Sequence, residues 1–226
     1  MEPLWQQVDK YFAERLALSD DVLDAALAAS IDAGLPPIGV TPHLGKLLQL
    51  LAQVQGARRI LEVGTLAGYS TIWMGRALPP DGELITLEID PAHAAVARQN
   101  IERAALSDRV HVWLGPAKES LAKLSASHVT PFDLIFIDAD KASIDAYFGA
   151  ALQLSRVGTI IVLDNVVRNG EVINAESDDA NILGVRRLTE ILSRERRVSV
   201  TAIQTVGSKG YDGFAFAVVT ANSGVL

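Results

Sequence analysis

From Gly56 onward, short runs rich in β-branched residues alternate with longer amphipathic stretches, and this alternation constrains the fold of the 226-residue chain more than any other feature. The runs "RILEVG", "ELITLEID", "RVHVWLG", "FDLIFIDAD" and "GTIIVLDN" are separated by "STIWMGRAL", "PAHAAVARQNIERAAL", "PAKESLAKL" and "SIDAYFGAALQL", and "ANILGVRRLTEILSRE" follows the last. A parallel strand pair needs a long crossover, which a helix supplies. The alternation therefore predicts βαβ units in an α/β, doubly wound, mostly parallel sheet. Two further runs, "RVSVTAIQTV" and "DGFAFAVVT", have only a Gly-rich connection between them. They predict a final antiparallel hairpin and bring the strand count to seven.

Residues 1–55 have a helical texture instead. Leu4, Val8, Tyr11, Phe12 and Leu16 recur at helical spacing, "SDDVLDAALAAS" opens on capping residues, and Thr41 precedes Pro42 at the head of "TPHLGKLLQLLAQV". The expectation is one domain over 1–226, with a helical extension (1–55) leading into the α/β core (56–226). The polar segment 169–181, "NGEVINAESDDAN", is the one long loop candidate, and with loop 36–45 it is expected to cover a site.

Composition narrows the function. A net charge of −7 argues against a broad nucleic-acid surface, which needs clustered Lys and Arg, and favours a small-molecule partner. The absence of cysteine excludes disulfides, thiolate zinc sites and a Cys nucleophile. His43, His93, His111 and His128 are scattered, no G-x-S-x-G elbow is present, and "GSKG" lacks the setting of a phosphate loop. No leader pattern opens the chain and no window of about 18 apolar residues occurs, so a soluble cytoplasmic protein without a membrane segment is expected.

In open parallel sheets ligands bind beyond the carboxyl ends of strands. The first run ends in "LEVGTLAGYS", where Gly64 and Gly68 bracket a tight strand-to-helix turn. A dinucleotide fingerprint requires glycine where Leu66 stands, which disfavours NAD; a merely tight connection is the simpler alternative. The second run ends in "LEID", placing Glu88 where a carboxylate accepts the hydroxyls of an unphosphorylated ribose, unless it is a solvated strand-end acid. After the third, Gly115, Pro116 and Ala117 leave room for a flat adenine ring, or simply open a helix.

The fourth run stops on Asp138, Asp140 and Lys141, and the fifth on Asp164 and Asn165. Burying unpaired charge is costly, so these groups either face water as caps and turns or surround something that compensates them. Two carboxylates and an amide oxygen make a hard ligand set that suits Mg²⁺, with Mn²⁺ or Ca²⁺ as alternatives. For Lys141 the plain alternative is an exposed lysine paired with Asp140.

Together, "LEVGTLAGYS", "LEID", "GPA", "IFIDADK" and "VLDNVVRNGEV" resemble the S-adenosylmethionine-dependent, cation-dependent O-methyltransferases related to caffeoyl-CoA and catechol O-methyltransferases, in their bacterial branch. The resemblance runs from about Val40 to "QTVGSKGYDGFAFAVV". It implies a Rossmann-like class I methyltransferase fold and S-adenosylmethionine as methyl donor. By the same resemblance Val40, Glu62, Gly64, Thr65 and Ser70 hold the methionine portion and the turn, Glu88 the ribose, and Ala117 the adenine edge. Asp138, Asp164 and Asn165 are the implied metal ligands, Asp138 also standing beside the donor and in the catalytic group. Lys141 falls at the catalytic lysine.

The expected reaction is methyl transfer to one hydroxyl of a vicinal dihydroxy aromatic acceptor, activated by chelation to Mg²⁺, with Lys141 accepting the remaining proton. Two other readings keep the fold: methylation of a hydroxylated uridine in tRNA, for which "RRLTEILSRERR" is the one candidate basic surface, and a non-catalytic cofactor-binding protein. Apolar residues of the first helix, including Trp5, Tyr11 and Phe12, together with the family's common habit, lead us to expect a homodimer.

Overall fold

The computed structural model of the chain describes residues 3–16 and 18–221. Each apolar run becomes a strand: β1 (Arg59–Val63), β2 (Glu83–Glu88), β3 (Val110–Leu114), β4 (Phe132–Ile137), β5 (Ser155–Asp164), β6 (Val198–Gly207) and β7 (Gly210–Val219). They form one sheet in the order β3-β2-β1-β4-β5-β7-β6. The first five pair in parallel, whereas β7 runs antiparallel to both β5 and β6, as the missing helix before it predicts. Strand order reverses between β1 and β4. In a doubly wound sheet the crossover helices diverge to opposite faces at that point and leave a crevice at the strands' carboxyl ends.

Helices α4 (Tyr69–Gly75), α5 (Pro91–Arg103), α6 (Ala117–Ala126), α7 (Ile144–Gln153) and α8 (Ala180–Arg194) cover the sheet, together with α1 (Leu4–Arg15), α2 (Asp21–Asp32) and α3 (Pro42–Gln55) of the extension. Because successive strand residues point to opposite faces, Ile135 and Ile137 of β4 pack into one buried cluster with residues of α7 and α8, and Leu134 and Phe136 into another with residues of α3, α4 and α5. Both faces are thus covered, which is why β4 reads in sequence as an unbroken apolar run. Asp133 is the exception within it. Its carboxylate accepts from the backbone N–H groups of Arg58 (2.8 Å) and Arg59 (3.0 Å) and pins the start of β1, at the end of the sheet away from the crevice.

The extension is built by its caps. Asp20 accepts from the N–H groups of Val22 and Leu23 to start α2 and also pairs with Arg76, the residue that caps the end of α4, at 2.7 Å, tying the extension to the core. Thr41 caps α3, Pro42 fills its first turn, and Gly56 stops it in a left-handed conformation (φ 63°). Helix α1 is different, for none of its residues is buried. Asp9 anchors it by accepting from the N–H of Ser208 in the β6–β7 turn, at 2.9 Å.

The long loop expected over 169–181 is partly ordered. Arg168–Ile173 forms a 3-10 segment that kinks at Asn169 (φ 56°) and Gly170 (φ 89°), and α8 begins at Ala180. Asn-Gly tolerates that left-handed turn where most residues would not. Asp212 of β7 holds the root of the segment by accepting from Val167 and Arg168 N–H, both at 3.0 Å. Among the described residues no helix is long and apolar enough to cross a membrane.

Candidate active site

The site is assembled at the carboxyl ends of β1, β2, β4 and β5. After β1 the chain turns through Gly64 (φ 101°), Leu66 (φ 50°) and Gly68 (φ 81°) into α4. Gly64 is required twice over. Its backbone is left-handed, and a Cβ there would lie 2.7 Å from the Asp138 carbonyl carbon and 3.1 Å from the Ala139 nitrogen. The β1 turn therefore presses directly on the end of β4.

Beneath that turn, Glu62 is wholly buried, and its carboxylate is taken up by the hydroxyls of Ser70 (2.6 Å), Thr86 (2.7 Å) and Thr71. Thr65 extends the network through its hydroxyl to Thr86. Burial pushes the Glu62 carboxyl up to about 7, against the pull of its three hydroxyl donors. Of the residues expected to hold the methionine portion and the turn, Glu62 and Ser70 thus serve the turn from inside. Gly64 and Thr65 supply the turn's own backbone.

Glu88 performs a comparable task at the next strand end. One carboxylate oxygen accepts from Thr65 (3.3 Å) and Leu66 (2.8 Å) N–H, and the other from Ile89 and Asp90 N–H, both at 2.9 Å. It is a buried clasp between the β1 and β2 turns rather than a solvated acid. Val40 has its side chain buried in the core, so its backbone is the part available to a ligand. Ala117 opens α6 just after Gly115 (φ 140°), around which a Cβ would find open space.

The charged cluster closes the site. Lys141 is buried, 5% exposed, and its Nζ donates to Asp138 Oδ1 at 2.7 Å; Asp140, its alternative partner, accepts instead from Ser143 N–H and the Tyr147 hydroxyl. Asp164 lies on the adjacent strand, 7% exposed, with Oδ1 accepting from Asn165 N–H at 2.9 Å. Its carboxyl is pushed up to about 7 by burial and then by the charge of Asp138, with Lys141 opposing. Asn165 adopts a left-handed backbone (φ 56°) beside it. The structure therefore brings Asp138, Lys141, Asp164 and Asn165 together. Among the described residues, no group of three or more His, Cys, Asp or Glu side chains is gathered for a metal; this set has two carboxylates and an amide.

Several contributors had no signal in a strand-end reading. Thr86 lies inside a strand, and Tyr147 inside a helix. Lys209, at the tip of the β6–β7 turn, keeps solvent access, yet the packing around it holds its ammonium below the usual lysine range while Asp138 and Asp164 pull the other way. The tip thus lies within electrostatic range of the two carboxylates. Hollows on the surface of α5 and β3 and near the end of α8 lie away from this cluster and gather no comparable chemistry.

A Rossmann-like sheet with a glycine-bracketed first turn, an acidic second strand end and a charged cluster beside them defines a class I methyltransferase. Residues 16–214 match the O-methyltransferase family. A protein of Niastella koreensis named catechol O-methyltransferase is 50% identical over 216 residues, 96% of this chain and 98% of that protein. The crystal structure of a Bacillus cereus O-methyltransferase in complex with SAH superposes with a TM-score of 0.94 at 54% identity, covering 96% of this chain and 98% of that one. An O-methyltransferase of Streptomyces achromogenes involved in tomaymycin synthesis, solved in complex with SAM, superposes with a TM-score of 0.93 at 45% identity, covering 96% and 97%. The chain belongs to this family and is an S-adenosylmethionine-dependent O-methyltransferase.

Glu62 yields a test of the buried network. Its folded-state pKa lies above the ordinary value of 4.5, at about 7. Between those values the unfolded chain has lost the proton that the folded chain keeps, so stability is full below 4.5 and falls until about pH 7. Chemical denaturation across this window should show a decline in the wild type that is smaller by up to about 3 kcal/mol in Glu62→Gln, Asp164 supplying the part that remains. Equal slopes in the two proteins would mean that Glu62 is ionised throughout.

Proposed function

We propose that the chain transfers the methyl group of S-adenosylmethionine to one hydroxyl of a vicinal dihydroxy aromatic of the catechol type, with a divalent cation held by Asp138, Asp164 and Asn165. The observation that carries this reading is the convergence of two carboxylates at adjacent strand ends with one buried lysine paired to the first. The residues fit a hard cation. Asp138 Oδ1 is engaged by Lys141 and Asp164 Oδ1 by a backbone N–H, while no described hydrogen bond takes either second oxygen or the Asn165 amide oxygen. The name of the Niastella koreensis relative agrees with the acceptor class.

When bound, Mg²⁺ or a similar cation would lower the pKa of a coordinated hydroxyl and hold its neighbour in register. The remaining work falls to the chain itself. Glu88, whose carboxylate holds four backbone N–H groups, would set the nucleoside of the donor through the turns it fixes, with Ala117 beside it, and the Gly64–Thr65 turn with the Val40 backbone would set its methionine end. Asp138 would stand beside the donor on the side of the acceptor. As a neutral amine, the form that a cation held beside Asp138 would favour by repelling the ammonium, Lys141 would take the proton of the attacking hydroxyl as the new oxygen–carbon bond forms and the carbon–sulfur bond breaks, the sulfur leaving as a neutral thioether. Such an in-line displacement depends on near-attack positioning of both partners.

For the tRNA reading, three of the five arginines in 186–197 are offset by carboxylates: Arg187 pairs with Asp145, Arg194 with Glu190 and Arg197 with Glu195. Helix α1, with Leu4 71% and Tyr11 56% exposed, packs beside edge strand β6, whose Ile203 and Val206 are also exposed. We infer that a second copy of the chain covers this face in a two-fold dimer. Light scattering at micromolar concentration should report a dimer, and a monomer would contradict it.

Exhaustive chelation should abolish methylation of a catechol, and Mg²⁺ should restore it. Asp138→Ala should lose cation affinity and activity together. Lys141→Ala should keep both ligands while kcat falls roughly 10²–10⁴-fold, the loss shrinking at high pH as the acceptor ionises unaided. Full activity after chelation would remove the cation from the reaction, and near-normal kcat in Lys141→Ala would remove its base.

A further inference from the structure

Lys141 begins a short 3-10 turn, Lys141–Ser143, whose backbone is held from several directions. Its carbonyl accepts the Ile144 N–H, Asp140 caps the turn through the N–H of Ser143, and Tyr147 locks Asp140. On the outer side stands α8, a helix that contributes no group to the chemistry described above. Arg187 of α8 donates to the Ala142 carbonyl at 2.8 Å and pairs with Asp145 at 3.0 Å.

Gly184 is the point of closest approach. A Cβ at this position would fall well inside contact distance of the Lys141 carbonyl oxygen, 2.9 Å from its carbonyl carbon and 3.0 Å from the Ala142 Cα. All of these are backbone atoms, which cannot swing aside as the end of a side chain can. Glycine inside a helix costs roughly 1 kcal/mol relative to alanine, so its presence at a buried position facing the turn demands a compensating reason. The opposite side of the same segment is set in the same manner, by Gly64 against the Asp138 carbonyl. The stretch from Asp138 to Lys141 is therefore gripped between two bare Cα atoms from different elements.

We propose that Gly184 is a positioning residue for methyl transfer: its missing side chain lets α8 seat the Lys141 turn at the depth where Nζ meets Asp138 and the acceptor hydroxyl. Arg187 fixes the same turn by its hydrogen bond to Ala142. The inference rests on the reading of Lys141 as the proton acceptor. A methyl group at 184 pushes the turn away from α8 and shifts the amine with it, while α8 itself packs on this turn, on α7 and on the 168–173 segment rather than on the donor-binding turns of β1 and β2.

The test is a double-mutant cycle with steady-state kinetics on a catechol. Gly184→Ala should lower kcat about 10²-fold, the scale for a misplacement of about 1 Å, with KM for S-adenosylmethionine changed less than about two-fold. Added to Lys141→Ala, it should produce no further loss, because the group it positions is gone. Arg187→Ala, which leaves the helix packing intact, should show the same pattern with a smaller loss and serves if Gly184→Ala does not fold. Wild-type kcat in a folded Gly184→Ala, or an equal loss in the presence and absence of Lys141, would overturn the proposal. Lys141→Ala with wild-type kcat would instead remove the proton acceptor itself, and the inference with it.

Discussion

Two carboxylates brought to neighbouring strand ends in a mostly buried setting repel each other, and the rest of the site is arranged around that repulsion. Asp138 is compensated on one side by Lys141, whereas Asp164 is pushed toward its neutral form by burial and by its neighbour. An arrangement that does not relieve such a conflict within the protein is one that a cationic ligand can relieve. The sheet makes the conflict unavoidable, since β4 and β5 are parallel neighbours with Ile137 opposite Leu163, and an aspartate comes next on each. Fold, electrostatics and proposed chemistry are thus linked at one point.

The glycines supply the geometric half of that link. Gly64 lets β1 close on β4, and Gly184 lets α8 close on the turn that follows it. Loosely held, a lysine on a connecting turn would sample many rotamers. Held between two backbones and paired at 2.7 Å, Lys141 is pre-organised. Other connections at this end of the sheet are the kinked segment after Asn165 and the β6–β7 tip that carries Lys209. These are where acceptor identity would be read without disturbing the base.

Much of this architecture was legible in the residues, for identifiable reasons. Strand β4 announces itself because both its faces are covered, and the final hairpin because no helix separates its strands. The strand-end aspartates and Lys141 stand out because charge follows an apolar run. What sequence could not supply was partnership across the fold. Glu62 is consumed by hydroxyls from α4 and β2, Glu88 by four backbone N–H groups, and Lys141 pairs with Asp138 because Tyr147 and Ser143 already hold Asp140. Gly184 left one faint trace, an isolated glycine inside an otherwise regular helical pattern, whose cause becomes visible only when the Lys141 carbonyl is seen beside it.

The central claim is that the carboxylate pair exists to hold a divalent cation, and direct binding tests it without reference to any acceptor. Titration of the chelator-treated protein with Mn²⁺, followed by electron paramagnetic resonance, should show one bound ion per chain that excess Mg²⁺ displaces. The same titration of Asp164→Ala should leave the ion free in solution. Absence of bound Mn²⁺ in the wild type, or undiminished binding in the variant, would contradict the account.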